Sequence, residues 1–429
     1  MKLFACLLLM SVPAAAQQMP VPDPALAARY FAEAHALAAR DAGRLWGRSL
    51  ASPMLFADPR TRAAVASVAD AEGRLTRQGE VYAGTLPENV TVANHALHWS
   101  GTHWTMVRWP LPENRYTRQR LLAHEMFHHL QPELGIPGSD VANAHLALGE
   151  GRILMRLEWR ALAEALIRDG TARRTAIADA LMFRARRHAL FKEAAREERL
   201  LELNEGLAEY TGFKLSGLPE EVLADRAAVH LGNYENTDNF ARSFAYASGP
   251  AYGLLLDAVS PAWRKQVHAG TDLGALVGTA YRIEAPGTEP LDTRIAAYAA
   301  ERMVQEERAR AERFVALQKE LRARLVDGPA LALPVGSKFS YGFDPNGAIP
   351  LDGIGTVYQG VRVTDEWGVL EVESGGALLL RDESGITGVR VPAPPDARNP
   401  LRGEGWKLTL QAGFSVVPSG QGYVIRRNE

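Results

Sequence analysis

Residues 120–131 read RLLAHEMFHHLQ, and the spacing of the histidines in this stretch is typical of a metal-binding helix. His124 and His128 stand four positions apart, with Glu125 between them. Four residues are slightly more than one helical turn, so both imidazoles lie on the same side of a helix and can share one metal ion. Neutral imidazole suits Zn²⁺, and the sequence therefore predicts a zinc-binding helix over residues 117–131.

The residues around the two histidines suit this interpretation. Glu125 lies about 100° around the helix, so it cannot easily ligate the same ion, but it can hold a water at the metal and take its proton. His129 is not expected to ligate, although a simple pair with Glu125, four positions earlier, is open to it. The alternative is a helix with exposed histidines and an incidental glutamate, because the pattern alone is only moderately specific. Apolar residues that would bury the helix flank the motif: Leu121, Leu122, Met126, Phe127 and Leu130.

A catalytic zinc site needs a third protein ligand and an open position, and two downstream glutamates could complete it. In LNEGLAEY (203–210), Glu205 is followed four positions later by Glu209, so both carboxylates lie on one helix face. Glu205 can then bind the ion while Glu209 accepts the free ring N–H of a ligating histidine. Glu150 has Leu154 at the corresponding position and stays the rival ligand. In an ordinary amphipathic helix, both Glu205 and Glu209 would instead be solvated.

The two segments together resemble the gluzincin metallopeptidases, the group that contains thermolysin and aminopeptidase N. In that group an Asn-Glu pair on a second helix brings the glutamate ligand, as Asn204 and Glu205 would here. The resemblance implies a zincin-like fold and the hydrolysis of peptide bonds in a peptide or protein substrate. It implies one Zn²⁺ per chain bound by His124, His128 and Glu205, with Glu125 as general base and Glu209 supporting a ligand histidine.

A further match lies at Tyr246-Ala-Ser-Gly249, which resembles the Tyr-x-x-Gly of the aminopeptidase N branch. There the tyrosine hydroxyl stabilises the tetrahedral oxyanion, and the resemblance implies the same catalytic role for Tyr246. Such a donor is needed because zinc alone rarely holds all the developing charge. The alternative is that Tyr246 only packs, just before the start of a helix.

The chain departs from the gluzincin pattern in two ways. Gluzincins usually place the third ligand much closer to the second histidine, whereas residues 129–204 intervene here, and Glu150 stands nearer the usual spacing. A helical hairpin inserted at about 139–200, with its ends close together, accounts for the surplus. No Gly-x-Met-Glu-Asn segment precedes the metal helix. Because that motif recognises the free amine in aminopeptidases, an endopeptidase is favoured over an aminopeptidase.

The predicted fold class is α+β. Residues 17–330 are expected to form the peptidase-like domain, with a small mixed sheet that includes two or three strands over 81–110, and a mainly helical part. The strand near 102–109 is expected to offer a sheet edge to extended substrate. Residues 331–429, rich in Gly, Pro, Val and Thr, are expected to form a separate β-rich domain. Helices are predicted at about 25–50, 140–168, 171–215 (with a break), 219–231, 249–258 and 293–326.

The first residues predict export. The stretch MKLFACLLLMSVPAAAQQ combines one lysine, a short apolar run and small residues before Gln17, which is typical of a signal peptide over residues 1–16. The alternative is a short buried helix. Cys6 is the only cysteine and would leave with the signal, so no disulfide or thiol chemistry is expected. No segment is long and apolar enough for a permanent transmembrane span, so we expect a periplasmic or extracellular protein.

The net charge and the retained motif residues bear on which functions and binding partners can be expected. A net charge of −2 over 429 residues argues against bulk electrostatic binding to nucleic acid. A catalytically inactive envelope binding protein with a zincin fold stays an alternative to the peptidase, but Glu125 is retained, and a degenerate relative would usually lose it. A zinc hydrolase of non-peptide substrates also stays open, because the same activated water serves any polar carbonyl. The oligomeric state does not follow from the sequence.

Overall fold

The computed structural model describes residues 21–428, apart from 140, 148, 238, 284–290, 299–300, 344–346, 352 and 397–399. The signal segment expected at residues 1–16 lies outside the described residues. Helices and strands are both abundant in the described part, and its strands form several sheets, which confirms the α+β class. The helices that the structure describes include none that is long and apolar enough to cross a bilayer.

A six-stranded mixed sheet forms the first layer. It follows helix α1 (Pro24–Asp41), and its strands are β1 (Met54–Ala57), β2 (Ala63–Ala66), β3 (Thr76–Gln78), β4 (Val81–Thr85), β5 (His95–Trp99) and β6 (Thr102–Arg108). The order is β3-β4-β2-β1-β6-β5, with β1 parallel to β6. Strands β4 to β6 match the prediction for 81–110. Strands β1 to β3 were not predicted, because short runs such as MLFA and AAVA show no period of their own.

The helical part follows the sheet. Its helices are α2 (Arg115–Leu130), α3 (Gly149–Ile167), α4 (Gly170–Leu190), α5 (Ala194–Leu201), α6 (Leu207–Leu215), α7 (Leu223–Tyr234), α8 (Ser243–Val259), α9 (Leu273–Tyr281), α10 (Leu291–Tyr298) and α11 (Glu301–Arg322). Short 3₁₀ turns lie at Gln131–Leu134, Ala144–Ala147, Glu220–Val222 and Trp263–Gln266, and π-helical turns at Glu202–Gly206 and Ala323–Asp327.

Helix α2 is the predicted metal-binding helix, and its ends follow from local chemistry. The Asn114 side chain caps its start by accepting a hydrogen bond from the Thr117 backbone N–H. The helix gives way to a 3₁₀ turn at Gln131, one residue before Pro132, which lacks an N–H for the helical ladder. The α1 and α2 side of the sheet is packed by aromatic residues, such as Phe31 and Phe56, whose ring centroids are 4.3 Å apart.

The expected free edge on the strand near 102–109 is wrong. Strand β6 pairs with β1 on one side and with β5 on the other, as Met106 shows by standing opposite both Leu55 and His95. The terminal strand next to β6 is β5, His95–Trp99. An extended peptide could therefore be added to this end of the described sheet only beside β5.

The predicted hairpin corresponds to α3 and α4, which pack along each other and are joined at Arg168 and Asp169. Helix α3 begins at Gly149, later than predicted. The helix predicted over 171–215 breaks after α4, where Phe191 adopts an extended conformation with φ −126° and ψ 110°. The chain resumes as α5, passes through the π turn and continues as α6.

Buried ion pairs fasten this hairpin to the π turn. The guanidinium of Arg187 is fully buried, with Glu158 at 2.6 Å and Glu198 at 2.7 Å. Both carboxylate oxygens of Glu202, in the π turn, accept hydrogen bonds of 2.7 Å from Arg184. Removing one partner of such a pair leaves an uncompensated buried charge, which is strongly destabilising. The hairpin and the π turn are therefore held together by buried ion pairs.

The remaining strands form two antiparallel-rich sheets over a second core. They are β7 (Ala330–Pro334), β8 (Ser340–Phe343), β9 (Ala348–Leu351), β10 (Gly355–Tyr358), β11 (Val361–Asp365), β12 (Gly368–Val372), β13 (Ala377–Asp382), β14 (Gly385–Pro392), β15 (Leu401–Gly403), β16 (Trp406–Leu410), β17 (Phe414–Ser419) and β18 (Gly422–Arg427). The orders are β17-β18-β7-β14-β13-β10-β9 and β15-β16-β12-β11-β8. Val363, Trp367 and Leu370 lie in a hydrophobic cluster of this region. We call residues 330–428 the β-region.

Helix α11 connects the helical part to the β-region. Its Glu307 accepts a 2.7 Å hydrogen bond from Arg152 of α3, and both side chains are buried. Further along, Leu321 and Leu325 pack with Leu351 and other apolar residues of the β-region. The long charged helix predicted for 293–326 therefore has a buried face as well as a solvated one.

Candidate metal centre

The two histidines of α2 direct their Nε2 atoms to one point. These atoms are 3.1 Å apart. His124 is 4 % exposed, and the neighbouring Leu122, Met126 and Phe127 are buried in the core, which anchors this part of the helix. The arrangement follows from the four-residue spacing, which places both imidazoles on one side of the helix.

Glu205 completes a triangle with the two histidines. Its Oε2 atom lies 3.4 Å from His124 Nε2 and 3.3 Å from His128 Nε2. Ligand atoms of a tetrahedral zinc site with bonds of about 2.0–2.1 Å are about 3.3 Å from one another. Among the described residues, these side chains form the group whose ligand atoms could hold a metal ion. The donor set fits Zn²⁺ without identifying it.

The other ring nitrogens of the histidines are occupied. His124 Nδ1 is 2.8 Å from Glu209 Oε2, and Arg120 lies 3.3 Å from the other oxygen of Glu209. His128 Nδ1 is 2.9 Å from Gln131 Oε1. Acceptors at Nδ1 favour the tautomer in which Nε2 keeps its lone pair for a metal. Glu209 thus stands where the two-carboxylate spacing predicted it.

Sequence reasoning missed Gln131. Besides accepting from His128, its side chain donates to Asn204 Oδ1 at 2.8 Å and to the carbonyl of Pro137 at 3.0 Å. It therefore ties the end of α2 to the segment that carries Glu205. The available signal was its position three residues after His128, on the same face of the helix.

Glu205 stands in the π-helical turn, Glu202–Gly206, between α5 and α6. Such turns are rare and often occur at functional sites. On one side of this turn Glu202 is held by Arg184, and on the other Glu205 faces His124. The turn that carries the Glu205 carboxylate is consequently held in place by the buried ion pairs of the hairpin.

The carboxylates around the histidines favour positive charge on them. Burial lowers the pKa of His124, but hydrogen bonds to Glu205 and Glu209 outweigh burial and raise that pKa to about 10. Burial raises the pKa of Glu205, yet the hydrogen bonds from His124 and His128 hold that pKa well below its usual range. An environment that stabilises positive charge so strongly suits a bound cation.

Glu125, between the two histidines on α2, is a buried carboxylate. It is 3 % exposed, and its Oε2 atom has no hydrogen-bond partner among the described residues. Burial raises the pKa of Glu125 against the opposing effect of His124 and His128. A carboxylate with a raised pKa and an unsatisfied oxygen beside the histidines can accept a proton from a water in the site.

Tyr246 and Arg242 reach Glu205 from α8. The Tyr246 hydroxyl donates to Glu205 Oε2 at 2.6 Å, and its ring stacks on His124 with centroids 5.4 Å apart. Burial, followed by the Glu205 charge, raises the pKa of Tyr246 well above its usual value, so the hydroxyl stays a donor. Arg242 Nη2 is 3.0 Å from Glu205 Oε1. Arg242, which stands just before α8, was not predicted as a site residue.

The prediction that a helix starts near residue 249 is wrong, because α8 begins at Ser243 and contains Tyr246 in its interior. Proline is common at the first helical position, and Pro250 would suit a helix that begins near residue 249. Here it lies inside the helix and cannot donate to the carbonyl four residues earlier, that of Tyr246. His230 Nε2, at 3.2 Å, supplies the missing partner for this carbonyl.

Gly249 explains why α8 can approach the π turn so closely. A Cβ atom on Gly249 would lie 2.3 Å from the Cα atom of Gly206. Two glycines therefore meet backbone to backbone, and this contact sets the distance at which Tyr246 reaches Glu205. The Tyr-x-x-Gly spacing thus has a packing reason as well as a chemical one.

Neither Glu150, the rival third ligand, nor His129, which was not expected to ligate, belongs to the triangle. Glu150 is exposed in the first turn of α3 and does not belong to the group of converging ligand atoms. His129 likewise is not in that group and stacks on His103, with ring centroids 4.1 Å apart. His103 in turn stacks on His98 at 4.0 Å.

Comparison of the chain with protein families, with characterised proteins and with solved structures found no match. The functional assignment therefore rests on the residues and geometry described above.

Proposed function

We propose that this protein is an exported zinc-dependent peptidase of gluzincin type, with a zincin-like fold. The observation that carries the proposal is the triangle formed by His124, His128 and Glu205, with edges of 3.1–3.4 Å, next to the unpaired carboxylate oxygen of Glu125. A stabilising role alone would not require a buried base without a partner beside three converging ligands.

The chemistry divides among named residues. When bound by His124, His128 and Glu205, a Zn²⁺ ion supplies a water of lowered pKa and polarises the scissile carbonyl. Glu125 takes the proton of the attacking water and passes it to the leaving amine. The Tyr246 hydroxyl donates a hydrogen bond to the oxyanion. Glu209 and Gln131 hold the two histidines through their Nδ1 atoms.

Peptide substrates are favoured by the sheet edge. Strand β5 is the terminal strand on the side of β6 and contacts α2, so an extended peptide paired with β5 would run beside the candidate centre. An endopeptidase is favoured because the chain lacks the amine-recognition motif of aminopeptidases.

The test is a screen of the purified protein against a peptide library, with added zinc and with a chelator. We expect cleavage that the chelator abolishes and zinc restores. Glu125→Gln keeps the shape but cannot take the proton, so cleavage should fall by about a hundredfold or more, while metal analysis finds the zinc content unchanged. Full activity in Glu125→Gln, or no cleavage by the zinc-loaded wild type, would overturn the proposal.

A further inference from the structure

A cavity opens next to the candidate centre, between the helical part and the β-region. Its volume is about 290 Å³. The helical part contributes Arg196, Glu197 and Arg242, and the β-region contributes Arg381 and the rings of Phe343 and Tyr358. The cavity is thus built by residues that are far apart in the sequence, and no motif predicted it.

The cavity carries more positive than negative charge. Three arginines are among its lining residues, against one acidic residue, Glu197. That carboxylate already accepts the backbone N–H of Asn143 at 2.9 Å and lies 3.6 Å from Arg196. Arg381 is exposed, and in the described part of the chain its guanidinium makes no hydrogen bond or ion pair. Arg196 also pairs with Glu193, and Arg242 with Glu205, so Arg381 is the cationic donor that an anionic group entering the cavity would meet without a partner among the described residues.

The cavity is linked to the candidate centre through Arg242. This residue lines the cavity and also lies 3.0 Å from Glu205 Oε1. A molecule bound at the centre can therefore extend past Arg242 into the cavity. The lining also includes the aromatic residues Phe343 and Tyr358, whose ring centroids are 4.5 Å apart. An occupant with an apolar body and an anionic group matches both features.

We propose that this cavity binds a carboxylate of the substrate, so that the enzyme prefers peptides with a carboxylate close to the scissile bond. This inference rests on the proposed peptidase function. Guanidinium groups bind carboxylates through paired hydrogen bonds, and the carboxylate is the anion that peptides carry. It can come from the C-terminus or from an Asp or Glu side chain.

Binding should be measured by calorimetry on zinc-loaded Glu125→Gln, which holds peptides without rapid turnover. The probes are N-acetylated tetra-alanine with a free C-terminus, its C-terminal amide, and amides with one Glu, or one Gln, at each position in turn. We expect the free acid or one of the Glu amides to bind about tenfold or more tightly than the neutral amide. Which of them does so identifies the source of the carboxylate.

Substitutions in the β-region test whether the preference for a carboxylate comes from the cavity. Arg381→Gln, introduced into the Glu125→Gln protein, should remove most of the preference for the charged peptide and leave binding of the neutral amide unchanged. The matched control is Arg402→Gln, an exposed arginine of the β-region that does not line the cavity, and it should leave the preference intact. Thermal unfolding and zinc content should be the same in both variants.

Two outcomes would overturn the inference. Either the charged and neutral peptides bind Glu125→Gln equally well, or Arg402→Gln reduces the preference as much as Arg381→Gln, which would show bulk electrostatics. These outcomes are distinct from a failure of the peptidase proposal, because they are read from binding and not from cleavage of the library.

Discussion

At the residue scale, Glu205 is the side chain on which the candidate centre depends. It contacts both histidines, Tyr246 and Arg242, so its two oxygens are fully engaged. Glu205→Ala should abolish tight zinc binding, because two histidines make an incomplete site. Glu150→Ala should leave zinc binding nearly intact. Metal analysis and competition with a chromophoric chelator would measure both, and the reverse result would assign the third ligand to Glu150.

Tyr246 can be tested with a one-atom change. Tyr246→Phe removes the hydroxyl and keeps the ring that stacks on His124. The loss of an oxyanion donor should reduce turnover by about 10²–10³, with KM and zinc content little changed. A parallel loss of zinc would instead show that the hydroxyl acts by holding Glu205. Unchanged turnover would place the oxyanion donor elsewhere.

At the residue scale, spacing along a helix was informative. The structure brings His124 and His128 together with Glu205, as their four-residue spacing predicted, and it places Glu209, four residues after Glu205, against His124. Gln131 and Arg242 were missed for a different reason. Each stands outside its helix proper and reaches the site only because of how the chain turns there, which the spacing of residues along a helix does not reveal.

At the scale of elements, the contact between α8 and the π turn should tolerate no added atom. Gly249→Ala would force the two backbones apart, at a cost of about 1–3 kcal/mol in the free energy of unfolding. It should also lower turnover by moving Tyr246 away from Glu205. Gly232→Ala is the control, because a Cβ there meets nothing within 4 Å.

In α7 the same change should raise the free energy of unfolding by up to about 1 kcal/mol, since alanine is the better helix former. Denaturant unfolding and peptide cleavage would give the two readouts. Equal effects of Gly249→Ala and Gly232→Ala would contradict the packing argument for Tyr-x-x-Gly.

The sequence predicted whether a segment is a helix or a strand better than it predicted where the element ends or which strand it pairs with. The helix over 117–131 was nearly correct, because a capping asparagine and a proline mark its ends. The strand near 102–109 was correctly found but wrongly placed at an edge. Its partner β1 is a four-residue run whose pairing with β6 is parallel and distant in sequence, and no local pattern records such a pairing.

At the scale of the whole molecule, the buried charges of the hairpin make stability depend on pH. Burial raises the pKa of Glu198, but Arg187, together with His145 and His188, outweighs burial and holds that pKa well below its usual range. A carboxyl whose pKa is lowered by folding stabilises the protein above its unfolded pKa, about 4.3. That contribution is lost as the pH falls through the folded-state value.

Glu198→Gln should therefore lower the free energy of unfolding at neutral pH by about 3–5 kcal/mol, because Arg187 loses a buried partner. The difference from wild type should narrow as the pH falls below about 4.3. Urea unfolding at a series of pH values would measure it. Glu193→Gln is the control, since its pair with Arg196 is exposed and should contribute less than about 1 kcal/mol. A constant difference at all pH values would contradict the linkage.

The composition shift near residue 328 predicted where the β-region begins, and β7 starts at Ala330. How this region is placed against the rest could not be predicted. The placement depends on single contacts, such as Arg152 with Glu307 and Leu325 with the apolar face of the β-region, and these residues look like ordinary members of helical patterns.

The long stretch of sequence between the histidines and Glu205 also affects the order in which the ligands become available during synthesis. During synthesis the segment with His124 and His128 emerges first, and the chain must complete and dock the hairpin before the π turn can present Glu205. A chain that is still unfinished offers only two of the three donors. In the proposed zinc site, metal loading would therefore be coupled to completion of the hairpin, because a metal site that needs all three ligands does not exist before the chain that carries them has folded.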